Sequence, residues 1–199
     1  MDWPIVAIAV VGAVVLSASV AGALLPEIHP REQRVFRAIN GLPGWLYWPL
    51  WAPMQLGNLV VGTVVGLIAA LVWGDWKMAV AVVLAMVLKL VTERIVRRRM
   101  AEHLKVRQRP GTSEPGAILR GADVPASGPS FPSGHVILVA GIASVVANDI
   151  PIAWAWVPHL LVVIVMAGRV YVGAHNPLDV TAGLGLGLLV GSVLDLVLR

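Results

Sequence analysis

The sequence predicts an all-α, polytopic membrane protein with six transmembrane helices and a short interfacial amphipathic helix. Of its 199 residues, 58% are hydrophobic and only 13% are charged, whereas about a quarter of the residues in soluble domains are charged. Long apolar runs recur along the chain, and roughly 20 apolar residues of helix are enough to cross a bilayer. The chain contains no cysteine, which excludes disulfides and thiolate metal sites.

The N-terminal part predicts one span followed by a surface helix. The first apolar run, 4–25, resembles a signal peptide because the small residues 17–19 could form a cleavage site. However, Asp2 precedes the run, no Lys or Arg does, and the run is long enough to span a bilayer. We therefore interpret it as an uncleaved first span. The polar stretch 27–40 carries its apolar side chains on one side, which predicts the amphipathic helix. The tryptophans that follow between positions 45 and 51 are typical of an aromatic belt at the membrane boundary.

The later apolar runs complete a single transmembrane domain, 1–199. The five further spans are predicted at about 52–73, 76–95, 133–150, 151–172 and 177–197. Lys89 and Glu93 in the third span are one helical turn apart, and pairing of opposite charges reduces the cost of burying them in lipid. Gly183, Gly187 and Gly191 recur every four residues in the last span, which predicts a close helix-packing face rather than a nucleotide loop.

Three polar clusters lie at the ends of predicted spans. The loops after spans one, three and five share one side of the membrane, so all three clusters face the same compartment. The first cluster closes a basic helical stretch after the third span, the second opens the fourth span, and the third joins the fifth and sixth. Their members are Arg109 with Pro110; Ser133, Gly134 and His135 after Pro132; and Arg169, His175 and Asp179.

Part of this set is suited to bind an anion. Ser133 is a favourable N-cap, and the free N–H groups of the helix that it opens, beginning at Gly134, form an anion site. Arg109 and Arg169 would add planar, permanently charged groups that match phosphate oxygens. Each feature alone has a structural explanation, such as an ordinary helix start or an arginine reaching the interface. Their combination on one side favours a phosphate site.

The remaining members are suited to act on a bound phosphoryl group. Asp179 would lie in the first turn of the last helix, after Pro177 at its first position, and can reach back to the imidazole of His175. A nucleophile oriented by a carboxylate is a general arrangement of covalent catalysis. His135 is a second imidazole, suited to protonating a leaving alkoxide.

On these motifs the sequence resembles the type 2 phosphatidic acid phosphatase superfamily. The family pattern is Lys-x6-Arg-Pro, then Pro-Ser-Gly-His, then Ser-Arg-x5-His-x3-Asp. The second motif is intact at 132–135, and the third keeps both spacings from Arg169 through His175 to Asp179. The resemblance covers about half of the chain, 97–197, and implies that the transmembrane helices form the helical core of this superfamily.

The resemblance implies a lipid phosphatase that works through a phosphohistidine and requires no metal or other cofactor. His175 would attack phosphorus with support from Asp179, and His135 would protonate the departing lipid oxygen. The resemblance also implies the residues that hold the phosphate oxygens, which are Arg109, Ser133, Gly134 and Arg169. The expected partners are a lipid phosphate and membrane lipids. Nucleic acid is not expected, since the net charge is only +4 and no long basic tail exists; oligomeric state is left open.

Two positions depart from the family pattern. Gly168 stands where the family has Ser, and Glu102 stands where the first motif has its lysine. A carboxylate cannot bind phosphate, so we consider Lys105 and Arg98 as replacements. On a continuous helix both would share a face with Arg109.

The distribution of basic residues predicts which side of the membrane the site faces. Without the motif arginines, the loops on the active side carry ten basic residues against two on the other side, Lys77 and Arg199. The positive-inside rule then places the site on the cytoplasmic face of a bacterial cell membrane, with both chain ends outside. Candidate substrates are a polyprenyl-linked phosphosugar, a polyprenyl diphosphate or a phosphatidate-type lipid. The alternatives are a non-catalytic anion-binding transporter or scaffold, and a lipid phosphotransferase.

Overall fold

A computed structural model describes residues 3–24, 27–103 and 107–198, without the side chains of 97 and 100–103. These residues form α-helices joined by loops and short 3₁₀ turns, with one isolated β-bridge between Gln108 and Pro129. The α-helices are α1 (Trp3–Ala23), α2 (Pro30–Asn40), α3 (Tyr47–Met54), α4 (Leu59–Trp73), α5 (Trp76–His103), α6 (Pro110–Ser113), α7 (Gly134–Asp149), α8 (Trp156–Tyr171) and α9 (Pro177–Leu198).

The helices confirm an all-α membrane protein but not the number of crossings. In the described part of the chain, three segments are long and apolar enough to span a bilayer: α1, Ile152–Tyr171 ending in α8, and α9. A bent pair of helices would raise the number to four. Helix α7 is apolar but has only 16 residues. Six crossings therefore remain a prediction.

The predicted second span at 52–73 is broken rather than continuous. Helix α3 contains Pro53 and ends at Met54, and a 3₁₀ turn over Gln55–Gly57 leads into α4. Asn58 has extended backbone angles, and its side chain accepts hydrogen bonds from the N–H groups of Val60 at 3.0 Å and Val61 at 3.4 Å. This N-cap starts a new helix, so the two segments meet at 74°.

Helix α7 lies at the centre of the bundle and is buried along most of its length. The predicted glycine face of α9 is confirmed by its contacts with α7. A Cβ on Gly183 would lie 2.8 Å from the carbonyl oxygen of Ser133, and one on Gly187 would lie 2.6 Å from the Cβ of Ala140. The two backbones therefore approach closely, which fixes the start of α7 against the start of α9.

Helix α2 is the predicted amphipathic helix, and it is attached to the bundle by buried polar contacts. Its Phe36 is only 1% exposed. The side chain of Asn40 donates to the carbonyl oxygens of Ile118 and Tyr171, both at 2.9 Å, and accepts from the N–H of Ile118 at 2.8 Å. One amide thus joins α2 to the loop after α6 and to the end of α8.

Replacing Asn40 by Ala is expected to lower the free energy of unfolding by about 1–3 kcal/mol, because it leaves buried backbone groups without partners. Thermal unfolding in detergent would measure the loss. Replacing the exposed Arg34 of the same helix by Gln is the control and should leave the transition unchanged. Equal transitions for the two variants would contradict the anchoring role of Asn40.

Candidate active site

The three predicted clusters meet at one end of the bundle, as the counting of loops indicated. The N–H of Ser133 at the start of α7 donates to the carbonyl oxygen of Asp179 at 2.9 Å. Arg109 donates from Nη1 to the carbonyl oxygen of Ala174 at 2.9 Å, next to His175 in the chain. Loops that follow three different helices therefore supply one site.

His175 and Asp179 face each other within this site. His175 lies in the loop between α8 and α9 and is 4% exposed, and Asp179 is fully buried in the first turn of α9. The imidazole Nδ1 is 3.8 Å from Asp179 Oδ2, which is longer than a hydrogen bond. Oδ2 accepts the N–H of Asn176 at 2.8 Å.

Burial lowers the pKa of His175 below its ordinary value, and the nearby guanidinium groups of Arg169 and Arg109 lower it further. The carboxylate of Asp179 acts in the opposite direction. The net effect favours a neutral imidazole at neutral pH, which is the form that can act as a nucleophile.

Several buried polar atoms at the site have no hydrogen-bond partner within the described residues. They include Ser133 Oγ, Arg169 Nε and His175 Nδ1. Ser133 occupies the predicted N-cap position of α7, but its hydroxyl makes no capping bond. Buried polar groups are normally paired. Ser133 Oγ and Arg169 Nε are donors of the kind that bind an anion.

His135 and Arg169 line one small polar pocket with a cavity volume of about 40 Å³. Its other walls come from α3, the turn after it and the loop 120–124. A Cβ on Gly57 would lie 2.7 Å from the Cβ of His135, so the break between α3 and α4 lets the chain pass directly beside this imidazole. The remaining lining residues include Tyr47, Trp51, Gln55, Asn58, Arg120 and Asp123.

The basic stretch after the third predicted span is helical as far as His103, but the prediction that the helix continues to Arg109 is wrong. Arg109 has extended backbone angles and precedes the short helix α6, and Ser130 and Arg107 are joined by a backbone hydrogen bond of 3.0 Å. Arg98 is on α5 and therefore does not share a helical face with Arg109. Lys105 and the side chain of Glu102 lie outside the described residues.

The predicted ion pair between Lys89 and Glu93 is confirmed, with 2.8 Å between Nζ and Oε2. It also touches the site, which the sequence did not indicate. A Cβ on Gly134 would lie 2.8 Å from Glu93 Oε1 and 2.9 Å from Lys89 Cε. Because Gly134 has no side chain, the ion pair of α5 can pack directly against the start of α7.

Gly168 is explained by packing. A Cβ at this position would lie 2.6 Å from Cγ and 2.7 Å from Sδ of Met54 in α3. Met54 is itself only 4% exposed. The side chain that the family has here is therefore replaced by a close approach of α3 to α8.

Sequence reasoning missed two charged residues of the site, Arg107 and Glu32. Arg107 Nε donates to Asp179 Oδ1 at 2.7 Å, and its Nη2 donates to Glu32 Oε1. Glu32 Oε1 also accepts the N–H of Leu178 at 2.9 Å. Arg107 was assigned only to the general basic character of its loop. Its pairing links residues 72 and 75 positions apart, and no local pattern reveals such a contact.

No group of three or more His, Asp or Glu side chains within the described ranges is placed to hold a metal ion. The groups that the structure does bring together are imidazoles, guanidinium groups and a serine hydroxyl.

Comparison with known proteins gives one family and three relatives. The PAP2 superfamily model matches residues 76–197. An undecaprenyl-diphosphatase from Sulfolobus acidocaldarius is 44% identical over 59 residues, which are 29% of this chain and 28% of the relative. The match thus spans less than a third of that relative's length.

Two solved structures share the fold. Aquifex aeolicus LpxE has a TM-score of 0.67 and 23% identity, over 81% of this chain and 92% of that one. A transmembrane PAP2 type phosphatidylglycerolphosphate phosphatase from Bacillus subtilis has a TM-score of 0.62 and 22% identity, over 96% of this chain and 93% of that one.

Proposed function

This chain belongs to the PAP2 superfamily, and on that premise we propose that it is a membrane phosphoric ester hydrolase that releases phosphate from a lipid. The superfamily match confirms the family that the sequence motifs indicated. The observation that carries the proposal is a pair of buried donors, Ser133 Oγ and Arg169 Nε, that have no hydrogen-bond partner within the described residues. Arg169 lies close enough to His175 to lower the pKa of its imidazole, as does Arg109, and the start of α7 offers further donors to an anion.

In the proposed reaction, His175 Nε2 attacks phosphorus while the bond between phosphorus and the lipid oxygen breaks. His135 gives its proton to that oxygen, and the lipid alcohol leaves. Asp179 Oδ2 accepts a hydrogen bond from the N–H of His175 Nδ1 and stabilises the positive charge that develops on the imidazole. Water then attacks phosphorus, His135 takes one of its protons, and phosphate leaves as the bond to His175 breaks.

The phosphate oxygens are held by charge and by backbone dipoles. Arg109 and Arg169 would contact the equatorial oxygens, where negative charge is concentrated during phosphoryl transfer. The Ser133 hydroxyl and the N–H of Gly134 would bind the same group at the helix start. Lys105 remains a further proposed ligand.

The proposed architecture is one transmembrane domain over 1–199 with six crossings, in which α4, α5 and α7 join the three longer spans. An apolar groove supports lateral entry of a lipid tail. Its cavity volume between α4, α7 and α8 is about 120 Å³, and it reaches Leu56 beside the polar pocket. Its walls carry small and aliphatic residues such as Gly66, Ala69 and Ala143.

Replacing Ala69 by Trp is expected to fill this groove. The KM for a long-chain lipid phosphate should rise about tenfold, whereas turnover of a short, water-soluble phosphate ester should not change. Replacing Leu71 by Trp is the control, because Leu71 lies on the same helix and is 80% exposed. Equal KM values for the two variants would show that the lipid substrate does not bind in the groove.

The proposed location of the site is the cytoplasmic face of a bacterial cell membrane. The support is the excess of basic residues in the loops on the active side. Cysteine substitutions at Arg34 and Lys77, which the sequence places on opposite sides, can be labelled in intact cells with an impermeant reagent. Labelling of position 77 but not of position 34 is expected.

The substrate classes remain a polyprenyl-linked phosphosugar, a polyprenyl diphosphate and a phosphatidate-type lipid. Phosphate release from one lipid of each class, measured in detergent with a chelator present, would test the proposal and rank the classes. Activity lost on chelation would contradict the metal-free mechanism. Product that forms only when an added alcohol acceptor is present would identify a phosphotransferase, and no release from any lipid would favour a transporter or scaffold.

A further inference from the structure

Arg107 and Glu32 form a buried ion chain behind Asp179. We propose that Arg107, held in place by Glu32, is a positioning residue that fixes the orientation and charge of Asp179 and thereby tunes His175. This inference rests on the proposed function, since it concerns the nucleophile of that reaction. It gives one residue of the surface helix α2, Glu32, a part in positioning Asp179.

Arg107 contacts both carboxylates of this ion chain. Arg107 Nε lies 2.7 Å from Asp179 Oδ1, and Nη2 contacts Glu32 Oε1. The side chains of Arg107, Glu32 and Asp179 are 4%, 5% and 0% exposed. Glu32 also accepts the backbone N–H of Leu178 at 2.9 Å. The chain therefore joins α2, the loop before α6 and the first turn of α9.

The two oxygens of Asp179 have different partners. Oδ1 accepts from Arg107, whereas Oδ2 accepts the N–H of Asn176 at 2.8 Å and faces His175 Nδ1 at 3.8 Å. A carboxylate held at one oxygen can still rotate about its Cβ–Cγ bond. Because both oxygens of Asp179 are held, Oδ2 stays directed towards the imidazole.

The ion chain of Glu32, Arg107 and Asp179 also affects the protonation of the His175 imidazole. The groups facing this imidazole are Asp179 on α9, Arg169 on α8, Arg109 in the loop before α6, and His135 on α7. The carboxylate of Asp179 favours a protonated, non-nucleophilic imidazole, and the positive charge of Arg107 offsets that effect. Although burial by itself acts to lower the pKa of Arg107, the carboxylates of Asp179 and Glu32 raise it above its ordinary value. Arg107 is thus a permanent cation.

Direct phosphate binding is the alternative role for Arg107. Its Nε and Nη2 groups are occupied by carboxylates, and its side chain is almost fully buried. It differs in this respect from Arg169, whose Nε has no partner within the described residues. The two roles predict different kinetics, since loss of a phosphate ligand raises KM and loss of a positioning residue lowers kcat.

Replacing Arg107 by Gln is expected to lower kcat about 10–100-fold with little change in KM, because a misdirected Asp179 leaves His175 poorly oriented. The acid limb of the profile of kcat/KM against pH should move to higher pH by about one unit, because the uncompensated carboxylate stabilises the imidazolium. Replacing Arg107 by Lys keeps the charge but cannot bridge two carboxylates. This variant should restore the acid limb and leave kcat reduced.

Breaking a buried ion pair is strongly destabilising, so activities are expressed per folded enzyme, measured by gel filtration in detergent. Glu32→Gln is the milder variant, and we expect a smaller loss of kcat without a shift of the acid limb to higher pH, because Arg107 keeps its charge and its bond to Asp179. Asn40→Ala is the matched control, because it also removes buried contacts of α2 but does not touch Asp179. It should leave the pH profile unchanged.

Three results separate the inference from the proposed function. An acid limb that stays in place in Arg107→Gln, with kcat per folded enzyme unchanged, would overturn the positioning role. A rise in KM without loss of kcat would make Arg107 a phosphate ligand instead. Absence of phosphate release by the wild-type protein would contradict the proposed function itself. The inference would then be overturned with it, because it concerns the nucleophile of that reaction.

Discussion

Replacing His175 by Ala is expected to reduce phosphate release from the best lipid substrate by about 10³-fold or more, because removal of a covalent nucleophile leaves only binding and electrostatic stabilisation. The KM should change little, since the guanidinium groups and the start of α7 would still hold the phosphate. Release of inorganic phosphate in detergent, at saturating substrate, measures the effect.

The same variant tests the covalent intermediate. Brief mixing of the wild-type protein with a lipid carrying labelled phosphate, followed by denaturation in alkali, should leave label on the protein as an acid-labile phosphoramidate. His175→Ala should carry none. His159→Ala is the control, because His159 lies on α8 away from the three clusters and should be labelled as the wild type is. Label that persists on the His175→Ala variant would show that another residue is the nucleophile.

The motif residues could be predicted from the sequence because their spacing is local. Ser133, Gly134 and His135 are consecutive residues at the start of one helix. Asp179 lies only four residues after His175 in the sequence. Lys89 and Glu93 were also predicted correctly as a pair, since the spacing i, i+4 places both on one helix face. Patterns of this kind depend on the backbone of one element and not on the packing of several.

The residues that were missed depend on packing between distant elements. Arg107 joins Glu32 and Asp179, and neither pairing has a local signature. The prediction for 52–73 failed for a related reason. The apolar pattern continues through Gln55–Gly57, while the chain turns there to bring Gly57 against His135. Hydropathy indicates which segments are apolar, but it does not indicate where an apolar segment bends.

Replacing Asp179 by Asn is expected to lower kcat by about 10³–10⁴-fold, because an amide can place a donor against His175 and stabilise the wrong tautomer. The structure adds a second reason. Both carboxylate oxygens accept hydrogen bonds, from Arg107 at 2.7 Å and from the N–H of Asn176 at 2.8 Å. An amide has one acceptor oxygen, so its NH₂ group must face one of these donors. The free energy of unfolding should therefore also fall, by about 1–3 kcal/mol.

Asp195→Asn provides a matched control on the same helix. Asp195 is 5% exposed near the opposite end of α9, and it accepts the side-chain N–H of Asn148 at 2.8 Å. The same chemical change there should affect stability but not kcat per folded enzyme. If both variants lost activity in proportion to their folded fraction, Asp179 would be a structural residue.

The pH profile separates the two partners of the ion chain. The carboxylate of Asp179 raises the pKa of His175 against the larger, lowering effect of burial. Its loss in Asp179→Asn should move the acid limb of the residual activity to lower pH, whereas loss of Arg107 should move it to higher pH. Opposite shifts from two residues that contact each other are not expected from a general loss of packing, because loosening of the site would affect both profiles in the same direction.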